Sequence, residues 1–406
     1  MNTFHIGWRN IWRNGKRTWI TVVAIALNTA ILITSYALMQ GMMVDMVDNA
    51  TRMVIGDAQV HAPGFNLDQS MYKSIAEPEK ILDAAKQKGI QAAARSYGFG
   101  LVSSGSKSAG GIFWGVDPAA EQKSFTLSQH MHKGDYLPAG PEKKVVLGQK
   151  LAKSLHVDVG SEIVAVVQAA DGSLGNELFT VCGILKMAGE KVDRGGAIIH
   201  RADFEELFVS GGRIHEIALN AWGKLPAEQV AAAVTAAAGD DEVKTWKQLM
   251  PLLFEMVKMF DVAIFIFGLV FFLAAGLGVM NTMLMATYER IREFGVLKAL
   301  GSSPWRIMKD VSAEAFVMAF FSTLIGTAIG VAASLYFQAY GINLEAMARE
   351  TITFSGIAFN PLWRATLSGK IVMLPVVVMW IICVLAALYP AGKAARLDPV
   401  RAMTHV

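Results

Sequence analysis

Charged side chains are absent from four long stretches of the chain: Thr18–Val44, Val262–Tyr288, Ala315–Leu344 and Ile371–Gly392. A helix needs ~20 apolar residues to cross the hydrocarbon core of a bilayer. These four segments qualify and no other does. Between the first and the second lies a polar segment of roughly two hundred residues, long enough for a domain of its own. Apolar alternation there predicts strands at Ala58–His61, Gln91–Val102, Gly111–Val116, Glu162–Val167, Leu178–Leu185, Ala197–His200 and Glu216–Asn220. Helical periodicity predicts helices at Pro78–Lys88, Gln149–Leu155, Ala202–Phe208 and Ala227–Ala237. Asp171-Gly172 between two strand runs is a hairpin signal. Asp117-Pro118 and the Pro138–Pro141 stretch place a division into two sub-modules between Gly115 and Lys144. Trp246–Asp261 is amphipathic and runs into the second span as a helical stalk, with Met42–Met53 as its expected partner.

The expected fold class is therefore membrane α-helical, with four transmembrane helices and a large extracytoplasmic α+β domain inserted between helices 1 and 2. In residue numbers the expectation is a basic cytoplasmic segment at 1–17 and helix 1 at 18–44. The extracytoplasmic domain with its stalk follows at 45–261, then helix 2 at 262–288. A cytoplasmic coupling loop takes 289–314, helix 3 takes 315–342, an outer loop 343–370, helix 4 371–392 and a cytoplasmic tail 393–406.

Composition and charge set the orientation. Of the residues 53% are hydrophobic and only 17% charged, below the ~25% usual in soluble domains. A net charge of +3 gives no argument for a nucleic-acid partner. The basic residues instead cluster at span ends: Arg9, Arg13, Lys16 and Arg17; Arg290, Arg292, Lys298, Arg306 and Lys309; Lys393, Arg396 and Arg401. Lys and Arg beside spans mark the cytoplasmic side. All three clusters share that side when the chain crosses four times with both termini inside. The outer loop, with Arg349, Arg364 and Lys370 against Glu345 and Glu350, agrees. The first apolar run is longer than the ~7–15 residues of a signal peptide core and reads as a retained anchor. Cys182 and Cys383 fall in different regions, so no internal disulfide is expected.

Little in the chain points to catalysis. No Asp, Glu, Lys, Arg or His lies inside a span, whereas ion-coupled carriers need such groups as relays. There is no phosphate-binding GxxxxGK[ST] loop, no HExxH, no GxSxG and no CxxC. His130 and His132 form a weak metal signal at most. No cofactor and no catalytic residue is expected. Small residues recur every fourth position at Ser322, Gly326, Gly330 and Ser334, and again at Ala274, Gly278, Thr282 and Ala286. Such rows let helices approach closely. Asn28 and Asn281 are the most polar side chains in the spans; the bland reading is an interhelical hydrogen bond, the other a substrate-facing role.

The sharpest motif follows the second span. A charged helix from Glu289 to Gly301 carries Glu289, Arg290, Arg292, Glu293 and Lys298, with Val296, Leu297 and Leu300 as its apolar face. Gly301 suits a helix C-terminus, and Ser303-Pro304 starts the next helix. A docking partner would grip such a helix; lying on headgroups is the alternative.

This stretch resembles the signature of the FtsX-like permeases, the group that contains MacB and the lipoprotein-releasing LolC and LolE. Their pattern, E-R-x-x-E-[IF]-x-[IVL]-[LM]-[KR]-A-[LIM]-G, is matched from Glu289 to Gly301. Tyr389–Ala402 resembles the family's ending, Leu147–Ile163 a motif of its extracytoplasmic domain, and Trp8–Arg13 its basic start. Together they span the chain in order. The resemblance implies an ABC transporter permease of the type VII, mechanotransmission kind. It implies two ABC ATPase subunits per complex and a second permease, identical or homologous. With no ATPase domain ahead of the permease, a separate ATPase chain is expected, as for LolC and LolE. Contact with membrane lipid and a lipoprotein or amphipathic substrate follows from that likeness, with a periplasmic chaperone or adaptor as a further possible partner. A low-polarity cavity for acyl chains would involve Asn28, Met39, Met42 and Met43, with Met46 beside them, and Phe260 and Phe267, thioethers being adaptable. No insertion like the hook with which LolC recruits its chaperone is evident in the early outer domain. The alternatives are a MacB-like export module with an adaptor and outer-membrane channel, or an FtsX-like regulator of a cell-wall hydrolase.

Overall fold

The computed structural model describes residues 15–186, 189–343, 353–354, 357–358, 362–398 and 402. Arg9, Arg13, Glu345, Arg349, Glu350 and Arg401, with the Trp8–Arg13 run and part of the C-terminal motif, lie outside the described residues. The chain divides into two compact units. One takes residues 1–44, 257–344 and 362–406; the other takes 45–256 and 345–361.

The first unit is built on four long apolar helices: α1 (Gly15–Ala50), α8 (Pro251–Glu289), α10 (Pro304–Tyr340) and α11 (Gly369–Ala395). Each is long and apolar enough to span a bilayer. Their shared core holds Ile25, Val279, Met283, Met318, Met379 and Cys383. Polar side chains inside it bond across helices, although Asn28 Oδ1 is buried without a partner among the described residues. Asn28 Nδ2 donates to the Phe271 carbonyl at 2.7 Å, Thr21 and Thr282 share a hydroxyl bond at 2.8 Å, and Trp380 Nε1 donates to Thr323 Oγ1 at 2.8 Å. For Asn28 this is the bland role. Asn281 is exposed.

The small row on α10 has a definite neighbour. A Cβ at Gly326 would stand 2.5 Å from the Ala26 carbonyl oxygen, and one at Gly330 3.0 Å from Ala30 Cα, both on α1. Ser322 and Ser334 are fully buried in the same seam, their hydroxyls bonded back to Met318 and Gly330 carbonyls. The row on α8 behaves otherwise. Gly278 has open space where a Cβ would be, and the close contact is made one turn-face away by Gly276, 2.9 Å from Ile382.

The second unit carries ten strands in one sheet. They are β1 (Ala58–His61), β2 (Gln91–Ser104), β3 (Lys107–Val116), β4 (Met131–Gly134), β5 (Lys144–Gly148), β6 (Glu162–Gln168), β7 (Leu174–Leu185), β8 (Gly196–His200), β9 (Glu216–Asn220) and β10 (Glu242–Thr245). The other helices of six residues or more among the described residues are α2 (Pro78–Gln87), α3 (Pro118–Ser124), α4 (Gln149–Leu155), α5 (Glu190–Gly195), α6 (Arg201–Phe208), α7 (Ala227–Ala238) and, after α8, α9 (Ile291–Ala299).

Strand pairing closes a ring. β2 pairs β3, β3 pairs β8, β8 pairs β5, β5 pairs β7, β7 pairs β6, and β6 returns to β2. The barrel interior is filled by Phe113, Phe179, Phe204 and Phe208 with Val102, Leu147 and Leu151, as expected for a small barrel whose side chains occupy its lumen. Glycine at 98 makes this possible: a Cβ there would fall 2.3 Å from the Phe208 ring. The other part is an antiparallel run β10-β1-β9-β2. Its core, Val60, Ile81, Ile217, Leu219, Val230 and Val234, brings α2 and α7 onto that sheet.

This corrects the expected division between Gly115 and Lys144. The two cores exchange within β2, whose Gln91–Arg95 pairs with β9 and whose Gly100–Ser103 pairs with β6. They exchange again between α6 and β9. A strand of fourteen residues is long enough to serve both parts, so the barrel is an insertion in the other part. The stalk differs too. Trp246–Leu249 is a separate turn with its own capping box on Thr245, and a new helix starts at Pro251, because proline lacks the donor to continue a helix but suits its first turn.

Candidate coupling sites

On the membrane unit, the predicted coupling helix is α9, joined to α8 by a break at Arg290. Arg290 holds that break. Its Nε donates to Glu293 Oε2 at 3.0 Å, its Nη1 to Glu314 Oε2 of α10 at 3.0 Å, and its guanidinium lies 5.1 Å from the Phe294 ring centre. Phe294 is buried with Ile307 and Val311 of α10 and with Ala391 and Ala394 of α11. Lys298 Nζ donates to the Leu397 carbonyl at 2.7 Å. Lys393 bonds the Tyr288 hydroxyl and lies over its ring. Gly301 adopts φ of +89°, a value that favours glycine. Ser303 then caps α10 through Oγ, with Pro304 next.

The six predicted coupling residues thus divide. Arg290 and Lys298 face inward and fix α9 on α10 and on the chain after α11, while Glu293, half-exposed, bonds Arg290 within the same turn. Glu289, Arg292 and Gly301 are exposed. So are Val296, Leu297, Leu300 and, beyond the turn, Trp305. The apolar face expected of this helix is the outward one; Ile291, Phe294 and Gly295 form the buried one.

In the outer unit, sequence reasoning missed a buried charge cluster. Thr51–Ile55 continues α1 as a wider π turn that ends at Gly56 with φ of +80°; such turns recur at functional places. The turn is held by Arg95 of β2, which is fully buried. Arg95 Nη1 donates to the Val54 carbonyl at 2.6 Å and to Glu216 Oε1 at 2.7 Å, and Nη2 donates to Glu121 Oε1 at 2.5 Å. The Tyr97 hydroxyl adds a bond to Glu216 Oε1 at 3.0 Å, and His61 Nε2 one to Oε2 at 3.2 Å. Thr126 N and Gln59 Nε2 bond the Arg52 and Ile55 carbonyls. The end of α1 is therefore tied to β2, β9 and α3 together.

This cluster sets a pH response. Burial would raise the Glu216 carboxyl, but the His61 bond and the Arg95 charge outweigh it and hold it at about 2. Burial lowers His215 below its usual value; its Nδ1 accepts from the Tyr97 amide at 2.8 Å, which keeps that nitrogen unprotonated. Both folded values lie below the unfolded ones, so both groups stabilise the fold above the unfolded values and lose this as pH falls. The melting temperature of the outer domain should begin to drop below pH ~6.5. It should drop more steeply below pH ~4.5, where unfolded Glu216 takes up its proton. A melt series from pH 8 to pH 3 checks this, and a flat profile would contradict the pairing.

The remaining candidates are spread out. Met43 is buried and Met39, Met42 and Phe260 half-buried, while Phe267 is 64% exposed. None of the six proposed substrate residues lines either of two cavities, one in each unit. His130 ends a short turn and His132 begins an exposed edge at β4. Among the described residues no three His, Cys, Asp or Glu side chains gather as metal ligands.

Residues 18–237 match the family described as MacB-like periplasmic core domain, and residues 265–399 the FtsX-like permease C-terminal. The chain is similar to the lipoprotein-releasing system transmembrane protein LolC of Xylella fastidiosa strain 9a5c, 23% identical over 97% of this chain and 95% of that protein. It is also similar to the macrolide export ATP-binding/permease protein MacB of Marinobacter nauticus, 32% identical over 32% of this chain and 17% of that protein. A solved periplasmic region of MacB from Actinobacillus actinomycetemcomitans aligns with 49% of this chain and 94% of its own length, at 14% identity and a TM-score of 0.37.

Proposed function

The chain belongs to the FtsX/MacB family of ABC transporter permeases, and from that premise we propose that α9 and its exposed apolar residues receive the closure of a separate ATPase. The protein is a non-catalytic, multi-pass inner-membrane permease subunit that pairs with ABC ATPase subunits and a homologous permease. In the proposed mechanism the ATPase grips Val296, Leu297 and Leu300 beside Glu289 and Arg292. Force enters α8, α10 and α11 through the inward bonds of Arg290 and Lys298. At the other end of α1, Arg95 carries movement of the Thr51–Ile55 turn into the barrel and the neighbouring sheet. The observation that supports this reading most is the division of α9 into a bonded inner side and an exposed apolar outer side.

Reversing both acids, Glu289→Lys with Glu293→Lys, tests it. Like charge across an interface costs several kcal/mol, so ATPase affinity should fall more than tenfold while the outer domain melts unchanged. Because Glu293 also bonds Arg290, Glu289→Lys alone should carry part of the loss. Normal ATPase binding by the double variant would make the helix a headgroup anchor.

For the cargo, the better supported reading is a MacB-like export module, in which the outer domain drives a duct built with an adaptor and an outer-membrane channel. The match of residues 18–237 to the MacB-like core supports it. Extraction of lipoprotein from the inner membrane is the second reading, favoured by the end-to-end likeness to LolC. Purification with the co-expressed ATPase, followed by mass spectrometry, separates them. A co-purifying adaptor supports export; a bound acylated lipoprotein would replace it with release.

A further inference from the structure

The outer unit carries a partly open cavity of about 360 Å³ that the proposed coupling does not use. Small-molecule sites run from ~300 to 1,000 Å³, so its size fits a short ligand. Its walls are mixed. Met53, Phe65, Leu249 and Met250 supply apolar surface, and Asn49 and Lys191 supply polar groups.

The charges in it do not balance locally. Lys191 is exposed to solvent and makes no hydrogen bond or ion pair among the described residues; partial desolvation lowers its affinity for a proton, and Glu216 opposes this. Glu216 also lines the cavity, but its oxygens already accept from Arg95, Tyr97 and His61. The side chains of Asn49 and Gln69 make no hydrogen bond among the described residues, and the indole N–H of Trp114, another wall residue, is buried without a partner. An accessible ammonium without a protein partner, the orphaned Trp114 donor and an apolar wall together fit a ligand that is anionic at one end and apolar at the other.

We propose that this cavity binds an amphipathic organic anion, with its carboxylate or phosphate on Lys191 and its apolar body against Met53, Phe65, Leu249 and Met250. The walls include both the π turn after α1 and the Leu249–Met250 joint before α8. An occupant therefore ties these two connectors together and slows turnover. That effect rests on the coupling reading; the binding itself does not.

The test uses the full chain with its ATPase in nanodiscs of zwitterionic lipid, titrated calorimetrically with octanoate, octyl phosphate and octanol against empty discs. The two anions should bind saturably and octanol about tenfold more weakly, the worth of one charged hydrogen bond. Lys191→Gln should weaken both anions about tenfold and leave octanol and the melting temperature unchanged, and Lys191→Arg should retain binding. Equal binding of the three compounds, an unchanged Lys191→Gln variant, or no saturable binding would each overturn the site. Discs containing phosphatidylglycerol identify the source. Loss of octanoate binding there means that a lipid phosphate fills the site; retained binding means a free anion. Slowed ATP hydrolysis with bound octanoate would support the tie between connectors, and unchanged hydrolysis would remove that effect while leaving the site.

Discussion

Arg95→Met is expected to lower the stability of the outer domain by roughly 3–5 kcal/mol, the cost of stripping one partner from a buried ion pair. Arg95 is 0% exposed, and it faces two carboxylates, Glu121 at 2% and Glu216 at 7%. Removal of the guanidinium leaves both acids buried, with Tyr97 and His61 still on Glu216 but, among the described residues, no other cation bonded to Glu121. Methionine restores volume without charge, so the loss is electrostatic and polar. Arg95→Lys should fall between the two, since a single ammonium keeps the charge but cannot fork between Glu121, Glu216 and the Val54 carbonyl. A purely structural role would end there. The coupling role predicts a second change: the amides of Thr51–Ile55 should exchange hydrogen faster in Arg95→Lys at a temperature where the barrel remains protected. ATP hydrolysis by the partner subunits should then continue uncoupled from movement of the outer domain. A variant with unchanged melting and unchanged exchange at the turn would remove Arg95 from the transmission route.

Much of this architecture is legible in the sequence because the signals are long. The four spans rest on uninterrupted apolar runs, and β1, β9 and α4 coincide with their expected bounds. Elements that escaped are short or mixed. β5 offers only Val145, Val146 and Leu147 after a proline-broken stretch, and β10 reads Glu-Val-Lys-Thr, which alternates like any exposed edge. The misplaced division has another cause. Strand length can be read locally, but which partner takes which half of β2 depends on residues far along the chain. The same limit hid the buried cluster. An arginine inside the apolar run Ala92–Ala94 and Tyr97 was a visible oddity, yet Glu121 lies 26 residues away and Glu216 121. On α9, helix and apolar residues were legible. The inward use of Arg290 and Lys298 was not, because it depends on where Glu314 and Leu397 arrive.

Gly326→Leu should separate α1 from α10 and cost more than any polar change in the membrane unit. At position 326 a single Cβ already meets the Ala26 carbonyl oxygen at 2.5 Å, Thr29 Cβ at 2.8 Å and Ala26 Cα at 3.0 Å. Two of those atoms are backbone, so no rotamer change relieves the clash and one helix must move. Overpacking costs ~1–3 kcal/mol where side chains can give way; here the movement also strips the contacts of Gly330 on Ala30 and Ile33. Between apolar helices in lipid, such close packing is the main attraction, since hydrocarbon solvates both faces equally well. The expected result is a lower melting temperature and rapid proteolysis between α1 and α10 in membranes. Gly278→Leu is the control, because among the described residues no atom outside its own helix backbone stands within 4 Å of a Cβ there. It should leave the isolated chain intact. If it instead costs the complex its second permease, the open row on α8 is where that partner packs. If Gly326→Leu melts and resists protease like the parent, the seam is looser than a backbone-to-backbone contact, and the small row on α10 faces lipid.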